Sequence, residues 1–432
     1  MYAMRHKTEA YSLDHAGLLE SLAATANLLI IQDLDGVCMS LVRDPLTRRI
    51  ERRYVEATQT LAGHFYVLTN GEHIGKRGVN GIVEQAFDPP EHPREQGFYL
   101  PGLAAGGVQL QDRYGHVSHP GVSEAELDFL RAVPHKTEQF LRTLLGKAPY
   151  ALPTDEIEPL VGSCVLDNLA SPTANINGLY HHFADRPGLY RQTQEATAGF
   201  MSELLLQATE AGLQDSFFVH YAPNLGRGDD GQERVKYSDG DDAGTTDFQF
   251  MLKGAIKEVG VLVILNHYYR QHTGRYPLGE HFNARAAPRD HAALLKLALD
   301  HFDPASMPRI VGVGDTVSSQ AQVLTGRTEH LRGGSDRGFL TLVQQLGDRF
   351  DTDNSVIYID SSCGEVRRPG IDAALLRNRD TGADRFPWPA LQGISDPEDP
   401  LKLDMIFPGG HAQYVDFFCE LARRRGRLET LD

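Results

Sequence analysis

Two carboxylates one residue apart, Asp33 and Asp35, follow the apolar run Leu28-Leu29-Ile30-Ile31 and precede Gly36. Like charges this close repel unless a cation or a shared proton relieves them. Asp33-Leu34-Asp35-Gly36 therefore points to a magnesium-dependent site with a carboxylate nucleophile beside a general acid and base. A polar strand-to-loop turn uses the same residue types, but a turn needs no second acid after Leu34. Two further apolar runs end in polar groups. Phe65-Tyr66-Val67-Leu68 ends in Thr69-Asn70-Gly71, and Arg309-Ile310-Val311-Gly312-Val313-Gly314 ends in Asp315. A Thr69 hydroxyl could hydrogen-bond a phosphoryl oxygen. Lys253 could add cationic charge at the first turn of a helix, with Lys257 a rival one turn later. Phosphoryl transfer asks mostly for this kind of positioning and neutralisation.

The elements that must position these groups are legible as patterns. Each apolar run reads as a strand buried on both faces, the habit of parallel sheets, with ligands outside the carboxyl ends of the strands. Helical patterns at Leu13 to Thr25 and Tyr54 to Gly63 alternate with the first two strands as βαβ units. A helix suits Val79 to Phe87, Phe98 to Pro101 opens another strand, and Gly106 to Val117 reads as a hairpin. From about Pro120 the texture changes. Helical patterns at Glu124 to Val133, Thr137 to Leu145 and Gln192 to Gly212 flank short strands near Ser163 to Leu166 and Phe217 to His220. Asn224 to Thr246 reads as a polar loop. A long helix is expected from Phe250 to a cap at Gly274, and Ser355 to Ile359 is a fourth apolar strand with a polar end. The expected organisation is an α/β core in two parts, residues 1–115 and 246–432, the second with a C-terminal extension. An inserted α+β cap domain spans 116–245. With 432 residues and 41% hydrophobic content, two domains are the natural expectation.

Charge and cysteine usage exclude some classes. The net charge of −16, from 58 acidic and 42 basic residues, disfavours a general role on nucleic acid or an anionic membrane. Cys38, Cys164, Cys363 and Cys419 have no metal-type spacing, and free thiols in a cytoplasmic protein are the expectation. Cys38 reads as a small buried hydrophobe despite its place near the acids. Met1 to Glu9 has no apolar signal core, and runs such as Val261 to Leu265 are too short to span a bilayer.

Asp33-Leu34-Asp35-Gly36-Val37, Leu68-Thr69-Asn70, Lys253-Gly254 and Gly312-Val313-Gly314-Asp315 resemble, in order, the four motifs of the haloacid dehalogenase (HAD) superfamily. The resemblance implies a Rossmann-like core carrying a C2-type cap. It implies Asp33 as nucleophile and Asp35 as general acid and base, with Thr69, Asn70 and Lys253 as phosphoryl ligands. Mg2+ would sit on Asp33, the Asp35 carbonyl and Asp315. In that family a second acid follows the fourth motif by four or five residues, where this chain has Ser319 and Gln320. Gln320 to Arg332 is then an inserted loop and Asp336 the displaced acid, unless Asp336 merely caps the helix that begins near Phe339.

Longer stretches, among them Phe65 to His73, Ser171 to Asn175, His220 to Arg227 and Phe407 to His411, resemble the family of glucosylglycerol-phosphate phosphatases. Glu365 to Glu398 matches it poorly. The resemblance implies hydrolysis of glucosylglycerol 3-phosphate, a step in making a compatible solute under salt stress. Glu72, His73, Lys76, Asn175, His220, Asn224 and Arg227 are candidate sugar contacts, and the upstream synthase is a candidate partner. The alternatives are a phosphatase for sucrose or trehalose phosphate, a phosphomutase, or a sugar-phosphate-binding partner of the synthase without catalysis.

Overall fold

The computed structural model describes residues 11–228, 231–324, 327–377 and 388–429. Met1 to Glu9, two residues of the expected insertion and 378–387 of the tail lie outside the described residues. The first strands are β1 (Leu28–Gln32), β2 (Phe65–Leu68), β3 (Gly102–Ala104), β4 (Gln109–Gln111) and β5 (Val117–Ser118). β6 (Val165–Leu166), β7 (Thr173–Asn175), β8 (Phe217–Ala222), β9 (Asn224–Arg227), β10 (Glu233–Val235) and β11 (Asp247–Leu252) follow. β12 (Arg309–Gly314), β13 (Ser318–Leu324), β14 (Arg327–Gly333), β15 (Ser355–Ile359) and β16 (Met405–Phe407) complete the set. The large sheet has the order β16-β15-β12-β1-β2-β3-β4-β5. Its pairings are parallel from β16 to β3 and antiparallel at the β3-β4-β5 edge.

β1 shows why this sheet is parallel and central. All five of its residues are buried. Leu28 and Ile30 pack with Tyr54 and Val55 of the helix Arg52–Thr60 and with Phe418 of the helix Gly410–Glu429. Leu29 and Ile31 face the other side, with Leu262 of the helix Lys257–Thr273 and Leu340 of the helix Arg337–Phe350. Two apolar faces allow no alternation of polar residues along the strand, so the carboxylates must wait until it ends.

The smaller sheet, β6-β7-β11-β8, is antiparallel throughout. Its central strand β11 alternates. Phe248, Phe250 and Leu252 face the helices Glu124–Gly146 and Pro187–Glu210, and Phe250 lies 5.9 Å from Phe129 and 5.1 Å from Phe217 between ring centroids. Asp247 and Gln249 face the opposite way. The helix Glu124–Gly146 runs unbroken through Pro134, where the pattern pointed to two pieces. Its apolar face, Leu127, Leu130, Val133, Leu141 and Leu145, stays in register across the proline.

Three local expectations change. Phe250 to Leu252 is strand, not helix, and the helix begins at Lys257 and ends, as expected, with Gly274 in the left-handed region (φ 77°). The strand expected at Phe98 to Pro101 forms at Gly102–Ala104. The polar stretch after Asn224 carries the β9-β10 ribbon. Because β11 pairs with β8, we propose that the chain leaves the smaller sheet only after Leu252, later than the return expected at 246.

Several bonds join the parts of the chain around the two sheets, those of Glu72 and of the two ribbons β9-β10 and β13-β14 among them. The Glu72 carboxylate, next to β2, accepts N–H bonds from Leu169, Ala170 and Ser171 at 3.1, 2.5 and 2.9 Å. On the far side, the β13-β14 hairpin meets β9 backbone to backbone, and a Cβ on Gly333 would fall 2.4 Å from Asn224 O. No helix among the described residues is long and apolar enough to cross a membrane. Cys38, Cys164, Cys363 and Cys419 are free thiols.

Candidate active site

β1 delivers Asp33 to the carboxyl edge of the sheet, where its N–H donates to Val313 O at 3.0 Å. Beneath it Gln32 is fixed by Tyr54 and Tyr414, with hydroxyl contacts of 2.6 and 2.8 Å. Asp33 Oδ1 accepts from the Leu34 N–H at 2.8 Å, and Oδ2 accepts from Lys257 Nζ at 2.6 Å. The same ammonium donates to Asp336 Oδ1 at 2.7 Å. Asp336 Oδ2 accepts the N–H groups of Asp315 and Thr316, both at 2.9 Å. One carboxylate oxygen from each of Asp33, Asp315 and Asp336 lies within 4.8 Å of the others, all in buried residues.

Burial of three acids around one lysine sets the electrostatics. It pushes the Asp33 carboxyl up to about 6, against the opposing pull of Lys257. Burial also raises Asp315, with the guanidinium of Arg368 pulling the other way. For Lys257 burial opposes the charged form, but Asp33 and Asp336 outweigh it and hold the ammonium above its usual range.

Around this line the other ends converge. Gly36, at φ +79°, packs so closely on Asp315 that a Cβ there would lie 2.1 Å from Oδ2. No residue with a side chain fits. Asp315 Oδ2 accepts from Arg368 Nη1 at 3.1 Å, and Asp35 Oδ2 accepts from Arg48 Nη1 at 2.9 Å. The Thr69 N–H is anchored on Leu103 O at 3.0 Å. Asp33, Asp35, Thr69, Asn70 and Asp315 line one wall of a cavity of about 130 Å3, and Asn175, Asp247 and Gln249 of the smaller sheet line the other. A second cavity of about 190 Å3 adjoins it past Asn70. A carboxylate held by a lysine, with a second acid two residues on and a polar cavity above, can run nucleophilic displacement with proton transfer.

A sequence model of the glucosylglycerol-phosphate phosphatases matches residues 27–422. The chain belongs to that family. A glucosylglycerol-phosphate phosphatase of Synechocystis sp. is 53% identical over 420 residues, covering 96% of this chain and 97% of that protein. Among solved structures, Aspergillus fumigatus trehalose-6-phosphate phosphatase is similar at TM-score 0.38 and 10% identity, over 96% of this chain and 99% of that one. The C-terminal domain of the Candida albicans enzyme is similar at TM-score 0.44 and 10% identity, over 96% and 98%. These two likenesses are slight and add nothing to the geometry.

The structure brings Asp33, Asp35, Thr69, Asn70, Asp315 and Asp336 together. It does not bring Lys253. Lys253 follows β11, pairs with Asp215 Oδ1 at 2.5 Å, and lines neither of the two cavities. The helix starts four residues later, so Lys257 occupies the position by the acids. Asp336 makes no side-chain cap bond to its helix. Both its oxygens are engaged by Lys257 and two backbone amides, and it stands with Asp33 and Asp315 in the buried cluster of three acids.

The expected sugar contacts divide. Asn175 lines the first cavity; His220, Asn224 and Arg227 line the second. Glu72 touches the first cavity, but its oxygens are taken up by the tie between the sheets. His73 is fully buried, bonded through Nδ1 to Gln111 and through Nε2 to Gly102 O. Lys76 is exposed and lines neither described cavity; its neighbour Arg77 is buried and bonds Asp167 at 2.8 Å. Arg48, Arg77, Arg368, Asp247 and Gln249 all line the first cavity and were not singled out in the sequence. The three arginines sit in irregular segments with no periodicity to mark them. The alternation Asp247-Phe248-Gln249-Phe250 is the one signal that could have found the last two.

Proposed function

We propose that the protein hydrolyses glucosylglycerol phosphate to glucosylglycerol and inorganic phosphate through an aspartyl-phosphate on Asp33. The observation that carries this is the Asp33-Lys257-Asp336 line at the ends of β1 and β12, with Asp35 two residues from the nucleophile, in a member of this family. An oxygen of Asp33 attacks phosphorus, and Asp35 gives its proton to the departing alkoxide oxygen. The alcohol leaves and the phosphoryl group stays on Asp33. Asp35, now ionised, takes a proton from a water that attacks phosphorus, which frees phosphate and restores both acids. Lys257 orients Asp33 and faces the transferring group. Thr69 and Asn70 can bind phosphoryl oxygens from the end of β2, and Arg48 and Arg368 add positive charge to the same cavity.

The residues present fit a magnesium ion. The donor set is all oxygen, and Gly36 lets the Asp35 turn pack against the Asp315 carboxylate. Asp33, the Asp35 carbonyl and Asp315 would hold it, with Asp336 completing the cluster of acids. When bound, the ion supplies neutralisation of the phosphoryl charge. The unpaired cysteines suit a cytoplasmic setting, and the synthase that makes the substrate is the expected partner.

The test is phosphate release from glucosylglycerol phosphate, sucrose phosphate and trehalose phosphate by the wild type and Asp33→Asn. Release is expected from the first substrate above the others. The variant should lose about four or more orders of magnitude in kcat, the scale seen when a nucleophile is removed. An Asp33→Asn protein that keeps its rate removes the nucleophile, and equal rates on all three sugars remove the substrate.

A further inference from the structure

The face of the smaller sheet turned toward the catalytic acids is polar in rows. Cross-strand pairing puts Asn175, Asp247 and Ala222 in one row and Thr173, Gln249 and His220 in the next. The first row satisfies itself. Asn175 Nδ2 donates to Asp247 Oδ1 at 2.9 Å, and Thr246 Oγ1 donates to Asp247 Oδ2 at 2.7 Å. The second row does not. Gln249 is only 7% exposed, yet its Oε1 has no hydrogen-bond partner among the described residues. In the same row His220 Nδ1 is held by Glu233, while the buried Nε2 likewise has no partner among the described residues. A buried amide oxygen without a partner is costly, so a fold keeps one where something else completes it.

We infer that Gln249, with Asp247 beside it, determines specificity by hydrogen-bonding hydroxyl groups of the substrate's non-phosphate part. Gln249 lines the cavity that holds Asp33, Asp35 and Thr69, opposite them. A phosphoryl group at Asp33 therefore leaves the rest of the molecule lying toward the sheet. The chemistry on that wall matches a polyol. An amide both donates and accepts, as a hydroxyl does, and Asp247 offers a carboxylate that can accept from further hydroxyls. His220 extends the row toward the second cavity past Asn70, in line with a substrate longer than a single glycerol. The inference rests on the proposed phosphatase reading, but needs only a hydroxylated phosphate ester and not one particular sugar.

The experiment compares kcat/KM for glucosylglycerol phosphate with kcat/KM for p-nitrophenyl phosphate, which carries no hydroxyls, in wild type, Gln249→Met and Asp247→Asn. Thermal unfolding of each variant checks its fold. Gln249→Met keeps length and volume and removes both hydrogen-bonding atoms. The ratio of the two constants should fall about ten- to a hundredfold, the scale of one or two lost hydrogen bonds to a buried group. Asp247→Asn should lower the ratio in the same direction. A loss shared equally by both substrates assigns Gln249 a structural role and overturns the inference, as does an unchanged ratio in a folded variant. If the wild type prefers another sugar phosphate and Gln249→Met loses that preference, the inference stands while the named substrate falls.

Discussion

Replacing Lys257 by Met tests the arrangement of the site at its most buried point. The Lys257 side chain is 2% exposed, and its partners Asp33 and Asp336 are 10% and 0% exposed. Without the ammonium, two buried carboxylates face each other with no counter-charge, and Asp336 keeps only its two backbone donors. Removing one partner from a buried ion pair costs about 3–5 kcal/mol. The loss should show as a lower urea midpoint, measured in chelator so that a cation cannot replace the missing charge. Turnover should fall by about 10²–10³, the cost of one preorganised charge at a transferring group. Lys253→Met is the matched control. Its partner Asp215 is 85% exposed, and such a surface pair contributes about 0–1 kcal/mol. Its turnover should stay near wild type. Equal losses of turnover in the two variants, or an active Lys257→Met enzyme, would refute the placement of Lys257 at the reacting group.

Two further outcomes follow from Glu72, at the tie between the sheets, and from its buried neighbour His73. Glu72→Gln puts an NH2 group among the donors of Leu169, Ala170, Ser171 and Gln109, and should cost about 1–3 kcal/mol in urea unfolding and raise KM; a variant with wild-type midpoint and KM would mean that the two sheets do not depend on this carboxylate. His73 is buried so completely that its pKa drops from 6.5 to about 4. The folded state thus prefers neutral His73. Its contribution is whole above pH 6.5 and is lost as pH falls toward 4, by about 3 kcal/mol in all. His73→Gln should not share that loss, and parallel stability-against-pH curves for the two proteins would contradict it.

Asp33, Thr69 and Asp315 were legible because each terminates an apolar run, and a strand buried on both faces can place polar chemistry only at its end. The same logic failed at Lys253. Phe250-Met251-Leu252 is a short apolar run, and such a run does not say whether it is strand or helix. Its aromatic alternation with Phe248, once paired to β8, makes it strand and pushes the helix start to Lys257. The smaller sheet's polar wall was half visible, since Asn175 and His220 could be picked out but Gln249 only through register. Arg48 and Arg368 come from irregular segments held by scattered turn and long-range bonds, and no local pattern announces them.

The β13-β14 hairpin separates Asp336 from Asp315 by 21 positions, yet the two meet through a 2.9 Å bond. An antiparallel ribbon leaves and returns at one point in space, so its neck is blind to its length. The contact with β9 is made at that same neck, where Gly333 pairs with Ser318 and packs its backbone on Gly226. Asp336 thus has two addresses. Its number along the chain grows with the length of the ribbon, while its place in the molecule is fixed by two amides at the ribbon's foot. Searching for such an acid by counting residues measures the first address, while the reaction depends on the second.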